Sequence, residues 1–183
     1  MTLNLTLHQV DSALPRVSVG LGNYIWFQHE FRIRDVASDV EFQKRFGGFY
    51  QVRRSSTWRA AFFQILERAK SSPVSFGKAL TAVHEATGRV EASFASKLVA
   101  TLDPGQPVID SVVLKNLGLK LPPVATADRF TQIQALHQRL ADLYSEYLAS
   151  ESGRELVRRF RRVYPTTPIT EAKMLDFVLW QSR

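Results

Sequence analysis

Apolar residues recur every three or four positions through most of this chain, and this spacing limits its fold more than any other feature. One segment begins at Ser55, Ser56 and Thr57, which all suit a helix N-cap. Its apolar residues are Trp58, Phe62, Ile65, Leu66 and Ala69. Such spacing places apolar side chains on one face of an α-helix. Because the chain has 183 residues, 45% of them hydrophobic, it can bury a substantial core. We therefore predict a mostly α-helical protein, with one compact helical domain over residues 37–183.

The first 36 residues do not show this regularity. Polar and apolar residues alternate only loosely between Leu3 and Val10, and Gly20 and Gly22 interrupt the stretch that follows. We therefore predict that residues 1–36 form an irregular N-terminal arm that packs on the helical domain.

Capping residues predict where two further helices begin and end. Ser38 and Glu41 have the spacing of a capping box, in which each side chain satisfies a backbone donor of the first turn, and Gly47 and Gly48 would end that helix. Ser75 suits the N-cap of another helix, which Gly88 would end. A hairpin and a further helix follow, so the predicted order here is helix, short connection, helix.

Charge and composition indicate which partners to expect. The formal net charge is +7 and the pI is about 10.0. Clustered Lys and Arg bind a phosphate backbone by releasing its counterions, although an ordinary basic surface also explains the charge. The chain has no cysteine and no run of about 18 apolar residues, so we expect no disulfide, no membrane association and a cytoplasmic location.

Two arginine-rich stretches are the candidate phosphate-binding surfaces. In residues 49–59, Arg53 and Arg54 are interleaved with aromatic side chains that either stack on a base or fill the core. The second stretch covers residues 151–164 and surrounds a helical apolar pattern with Arg158, Arg159, Arg161 and Arg162. It either contacts DNA phosphates or forms the solvated face of a helix.

The segment from Ser93 to Gly118 contains the residues that indicate a specific chemistry. Small residues bracket Phe94 in the sequence SFASKLVA, and Lys97 stands at the start of an apolar run. Farther along, the sequence PVID ends a short apolar stretch with Asp110. These two patterns resemble those of the helix-hairpin-helix DNA glycosylases, in particular the 8-oxoguanine DNA glycosylase/lyase type. Ser93 and Ala95 stand where that family has paired glycines.

The resemblance implies a helix-hairpin-helix fold that binds double-stranded DNA and cleaves the N-glycosidic bond of a damaged or modified base. It implies that a DNA phosphate is held by a hairpin of Ser93, Phe94, Ala95 and Ser96. Lys97 would attack the sugar C1′ as a free amine and form a Schiff base, as in AP lyases. Asp110 would stabilise the positive charge that develops on the sugar. Both roles require a nucleotide that has been flipped out of the base stack.

The two predicted catalytic residues also have structural interpretations. Asp110 precedes an apolar segment that ends at Gly118 and is a good N-cap, whereas Lys97 can be a solvated lysine or a phosphate contact. Two other functions therefore stay open. One is a helix-hairpin-helix DNA-binding protein without catalysis, and the other is a helical protein-interaction subunit of a defence or mobile-element system.

Cofactor and metal sites are not predicted. The sequence has no glycine-rich phosphate-binding motif and no histidine pair with metal-ligand spacing. His137 falls in a long helix predicted after Asp128, and we expect it to be structural or solvent-facing.

Overall fold

A computed structural model describes residues 3–72 and 74–182, and every regular element in these ranges is an α-helix. The nine helices of this part of the chain are α1 (Leu7–Ile33), α2 (Val40–Phe49), α3 (Ser56–Arg68), α4 (Phe76–Thr87), α5 (Ala92–Leu102), α6 (Ser111–Asn116), α7 (Arg129–Ala149), α8 (Glu151–Val163) and α9 (Glu171–Gln181). The prediction of a mostly α-helical protein is confirmed. None of these nine helices combines the length and the apolar character needed to cross a lipid bilayer.

The chain divides into two compact units. The first unit comprises the chain up to Ser18 and from Asp103 onward, and it contains α6 to α9 together with the beginning of α1. The second unit is Val19–Leu102 and contains the rest of α1 together with α2 to α5. These boundaries differ from the predicted one at residue 36. Local periodicity does not reveal that the N-terminal residues group with the C-terminal part of the chain.

The predicted irregular N-terminal arm is wrong, because Leu7–Ile33 is one helix of 27 residues with Pro15 inside it. Its buried residues are Val10, Ala13, Leu14, Val17, Leu21, Tyr24, Phe27 and Phe31. Their spacing of three or four residues is helical, so the burial of one face overrides the helix-breaking tendency of the proline and the glycines.

Aromatic side chains form the core of the second unit. The ring centroids of Phe27 and Phe63 each lie 5.5 Å from that of Phe46, and the Trp58 and Phe62 rings are stacked at 5.3 Å. Burial of one such side chain stabilises the fold by about 2 kcal/mol relative to leaving it exposed. Ring pairs at these distances add about 1 kcal/mol each. The helix predicted around Trp58 and Phe62 is therefore confirmed as α3, a central element of this core.

Capping explains where most of the helices begin. The side chains of Ser55 and Ser75 accept hydrogen bonds from backbone N–H groups at the starts of α3 and α4, as predicted. The predicted capping box of Ser38 is wrong. Asp39 caps α2 instead by accepting from the Phe42 N–H at 2.7 Å, while Ser38 Oγ donates to the Asp35 carboxylate at 2.8 Å. The helix then continues through the two glycines to Phe49.

Candidate nucleic-acid interface

Helices α4 and α5 form a helix, connection, helix arrangement within the second unit, as predicted. Helix α4 ends at Gly88, whose φ of 68° lies in the left-handed region that favours glycine. Its N–H donates to the carbonyl oxygen of His84 at 2.7 Å. The connection itself is residues 88–91, since α5 begins at Ala92.

The residues predicted to form the hairpin lie inside α5 instead of in this connection. The backbone N–H groups of Phe94 and Ala95 donate to the carbonyl oxygen of Glu91 at 3.0 and 2.9 Å. Ser96 is buried, and its Oγ donates to the carbonyl oxygen of Ser93 at 2.9 Å. Without the paired glycines these residues continue as a helix, so the structure gives no hairpin at this position.

Lys97 lies in the second turn of α5 and is only 7% exposed. Its Nζ donates to the carbonyl oxygen of Tyr50 at 3.3 Å. The same atom lies 4.9 Å from the centroid of the Phe94 ring and 5.5 Å from that of the Tyr50 ring. A carbonyl oxygen and aromatic faces both stabilise a charged ammonium group. The side chain therefore ties α5 to the end of α2.

Two arginines, Arg54 and Arg89, lie at the carboxylate of Glu91, and Arg53 precedes Arg54 in the chain. We call Arg53, Arg54 and Arg89 the arginine cluster. Nε and Nη2 of Arg54 donate to the two carboxylate oxygens of Glu91, each at 3.0 Å. Nε of Arg89 is 3.5 Å from one of these oxygens. Arg53 is exposed, and its carbonyl oxygen accepts from Arg54 at 3.2 Å. One carboxylate thus pairs with two guanidinium groups, and the exposed Arg53 next to Arg54 adds a third positive charge, so the cluster is positively charged.

Aromatic rings support the arginine cluster from within the second unit. The guanidinium carbon of Arg54 lies 5.2 Å from the centroid of the Phe94 ring and 5.9 Å from that of Trp58, and the two rings are 4.6 Å apart. Trp58 is 7% exposed, and its buried Nε1–H donates to no acceptor within the described ranges. An unsatisfied buried donor costs about 1–3 kcal/mol.

Asp110, the second predicted catalytic residue, lies in the first unit. Its Oδ1 accepts from the Val112 N–H at 2.8 Å and caps α6, so the structural interpretation of this residue is confirmed. Lys97 belongs to the second unit, so the two predicted catalytic residues are held by different units.

The segment that leads to Asp110 is held at two points. Pro104 offers its carbonyl oxygen to Thr170 Oγ1 at 2.7 Å, and the carbonyl oxygen of Pro107 accepts from His137 Nε2 at 3.2 Å. His137 is 5% exposed, and burial lowers its pKa from 6.5 to about 4. Of the two expected placements, structural or solvent-facing, the structure therefore excludes the solvent-facing one.

A buried polar network lies in the same unit. The Tyr144 hydroxyl donates to Asp176 Oδ1 at 3.0 Å, and Nζ of Lys173, which is 2% exposed, donates to Asp176 Oδ2 at 2.8 Å. Burial raises the pKa of Tyr144 well above its usual value, and the charge of Asp176 adds to this shift. Asp110 also contributes, so its carboxylate is within electrostatic reach of the Tyr144 phenol.

Most of the α8 arginines already have carboxylate partners. Arg158 pairs with Glu155, Arg159 with Glu155 and Asp11, and Arg161 with Glu171. Arg162 is exposed and makes no ion pair among residues 3–72 and 74–182. Exposed pairs of this kind contribute little stability, yet they reduce the positive charge that α8 offers to a polyanion.

Arg89 and Glu91 were missed from the sequence, because a short polar connection carries no periodic pattern. The only available signal was their opposite charge beside the start of α5. The described ranges contain no group of three or more His, Asp or Glu side chains placed to hold a metal ion. Comparisons with protein-family models, curated proteins and solved structures found no significant match.

Proposed function

We propose that this chain binds double-stranded DNA through its second unit. The observation that carries this proposal is the arginine cluster, in which Arg54 and Arg89 share one carboxylate and Arg53 faces solvent. Val19–Leu102 contains 12 Lys and Arg against 7 Asp and Glu, so the unit as a whole is basic. Guanidinium groups bind phosphates with two parallel hydrogen bonds and release counterions as they do so.

Salt-dependent binding to a labelled duplex, measured by fluorescence anisotropy, tests this proposal. We expect Arg53→Gln to weaken binding and to reduce the slope of log Kd against log salt by about 0.9, the loss of one phosphate contact. Arg68→Gln is the matched control, since it removes the same charge from the opposite end of α3. Equal losses in the two variants would show that only the overall charge matters. No duplex binding, with co-purification of one protein, would favour the protein-interaction function.

Base excision by Lys97 is a second candidate function, favoured by the position of this amine. Lys97 lies on the helix that begins next to Glu91, and its Nζ is held against the rings of Phe94 and Tyr50. The amine would have to leave the Tyr50 carbonyl and lose a proton before attack. It would then form a bond to C1′ while the glycosidic bond breaks and the base departs with the electron pair.

Borohydride trapping on duplexes with single damaged, modified or abasic nucleotides tests this second function. An adduct on one damaged base that disappears in Lys97→Gln would establish the amine and identify the substrate together. Asp110→Asn retains the capping side chain and removes its charge, so it tests the role predicted for this carboxylate separately from its capping of α6. An adduct that survives Lys97→Gln would implicate another amine. Salt-sensitive binding without adduct or base release would leave DNA binding as the function.

A further inference from the structure

Glu91 occupies the arginine cluster in the free protein. Its side chain is 12% exposed and accepts from both Nε and Nη2 of Arg54, with Arg89 at 3.5 Å. This two-point geometry is the one that a phosphate oxygen pair also adopts with a guanidinium group. A phosphodiester that reaches Arg54 must therefore replace this carboxylate or share the arginine with it.

Trp58 carries a further unsatisfied donor, and its ring lies close to Arg54. Its indole N–H is buried and lacks an acceptor within the described residues, and the Arg54 guanidinium carbon is 5.9 Å from its ring. Glu91 satisfies Arg54 but leaves this donor without a partner. An acceptor with several oxygens, such as a phosphodiester, can serve a guanidinium and a further donor together.

We propose that Glu91 is a built-in competitor for DNA phosphate, which holds Arg54 in the free protein and gives way to a phosphodiester on binding. The inference rests on the proposed DNA binding and adds a specific phosphate site with its own negative regulator. In the free protein the carboxylate neutralises Arg54 and lowers the attraction of the cluster for a polyanion. A phosphate that engages Arg89 as well as Arg54 replaces it favourably.

The direction in which one substitution changes the DNA affinity distinguishes this role from a purely structural one. If Glu91 competes with phosphate, Glu91→Gln frees Arg54 and strengthens binding. If Glu91 instead orients Arg54 for phosphate, the same substitution loosens the guanidinium and weakens binding. Glu85→Gln is the matched control, because Glu85 is an exposed carboxylate on α4 in the same unit and its loss changes the net charge equally.

The experiment measures anisotropy of a labelled duplex against these variants at several salt concentrations. We expect Glu91→Gln to bind about fivefold tighter than Glu85→Gln, with a salt slope steeper by about 0.9. Glu91→Asp keeps the charge but shortens the reach to Arg54, so its affinity should lie between those of the parent and Glu91→Gln. The double variant Arg54→Gln/Glu91→Gln should lose the gain.

The outcomes distinguish this inference from the proposed function. Salt-sensitive binding by the parent, with Glu91→Gln equal to or weaker than Glu85→Gln, overturns the competitor role and leaves DNA binding intact. Binding that appears only in Glu91→Gln supports the competitor role directly. Absence of duplex binding in the parent and in every variant overturns both proposals. A gain that persists in the double variant overturns the assignment of Arg54 as the phosphate ligand.

Discussion

Acidification is expected to destabilise the first unit through His137, the buried histidine that donates to the Pro107 carbonyl. Burial lowers its pKa to about 4 in the folded protein, against 6.5 when it is solvated. The unfolded chain therefore binds a proton more readily than the folded protein does. The contribution of the neutral histidine to stability is complete above pH 6.5 and is lost progressively as the pH falls towards 4.

The expected loss follows from the interval between these two pKa values. Each pH unit within this interval costs about 1.4 kcal/mol, because the unfolded histidine is protonated while the folded one is not. Acidification from pH 7 to pH 5 covers the part of this interval between 6.5 and 5, which is roughly 1.5 pH units. His137 alone should therefore lower the unfolding free energy by about 2 kcal/mol. With a urea m-value of about 2 kcal/mol per M, the unfolding midpoint moves down by about 1 M.

Urea unfolding followed by circular dichroism at both pH values tests this expectation, with the parent protein compared against His137→Gln. The variant has no titrating group at this position, so it should lose about 2 kcal/mol less than the parent between pH 7 and pH 5. His8→Gln, at an exposed position on α1, controls for the loss of a histidine as such. Equal losses in the parent and in His137→Gln would refute the argument.

Four substitutions test the backbone arguments by thermal unfolding. A Cβ at Gly153 would lie 2.0 Å from the carbonyl oxygen of Tyr147, so Gly153→Ala should cost at least about 2 kcal/mol; an unchanged Tm would contradict this packing. The same substitution at Gly48, inside α2, meets no atom within 4 Å and should instead stabilise the protein by about 0.5–1 kcal/mol. Asp39→Ala should lower the unfolding free energy by about 1 kcal/mol, because it removes the N-cap of α2, and Ser38→Ala should lower it by less. A larger loss in Ser38→Ala than in Asp39→Ala would instead support Ser38 as the capping residue.

Much of the helical architecture could be predicted from local sequence patterns. The spacing around Trp58 and Phe62 and the cap at Ser75 depend on neighbouring residues, and the structure confirms these features. The long helix α1 could not be predicted in the same way, because Pro15 and the glycines have low helix propensity. Its stability comes from burying one face, and that contribution depends on partners distant in sequence.

The contacts within the candidate site could not be predicted from the sequence either. Lys97 and Asp110 were singled out by a resemblance to the helix-hairpin-helix DNA glycosylases, but no sequence pattern reveals that Lys97 donates to the Tyr50 carbonyl. The pairing of Arg54 with Glu91 joins two connections that are far apart in the chain. Hydrogen bonds of this kind depend on how α2, α3 and α5 pack, so sequence patterns predict the candidates and the structure supplies their partners.

The contacts of Lys97 and Arg54 also relate the two proposed functions to each other. Both side chains are held by acceptors from the protein itself, Lys97 by a neutral carbonyl and Arg54 by a carboxylate. Glu91 directly precedes α5, the helix that carries Lys97 in its second turn. A phosphate that displaced Glu91 from Arg54 would therefore bind next to the start of the helix that holds the proposed nucleophile. If base excision follows DNA binding at the arginine cluster, Glu91→Gln should increase any Lys97-dependent adduct formation along with affinity.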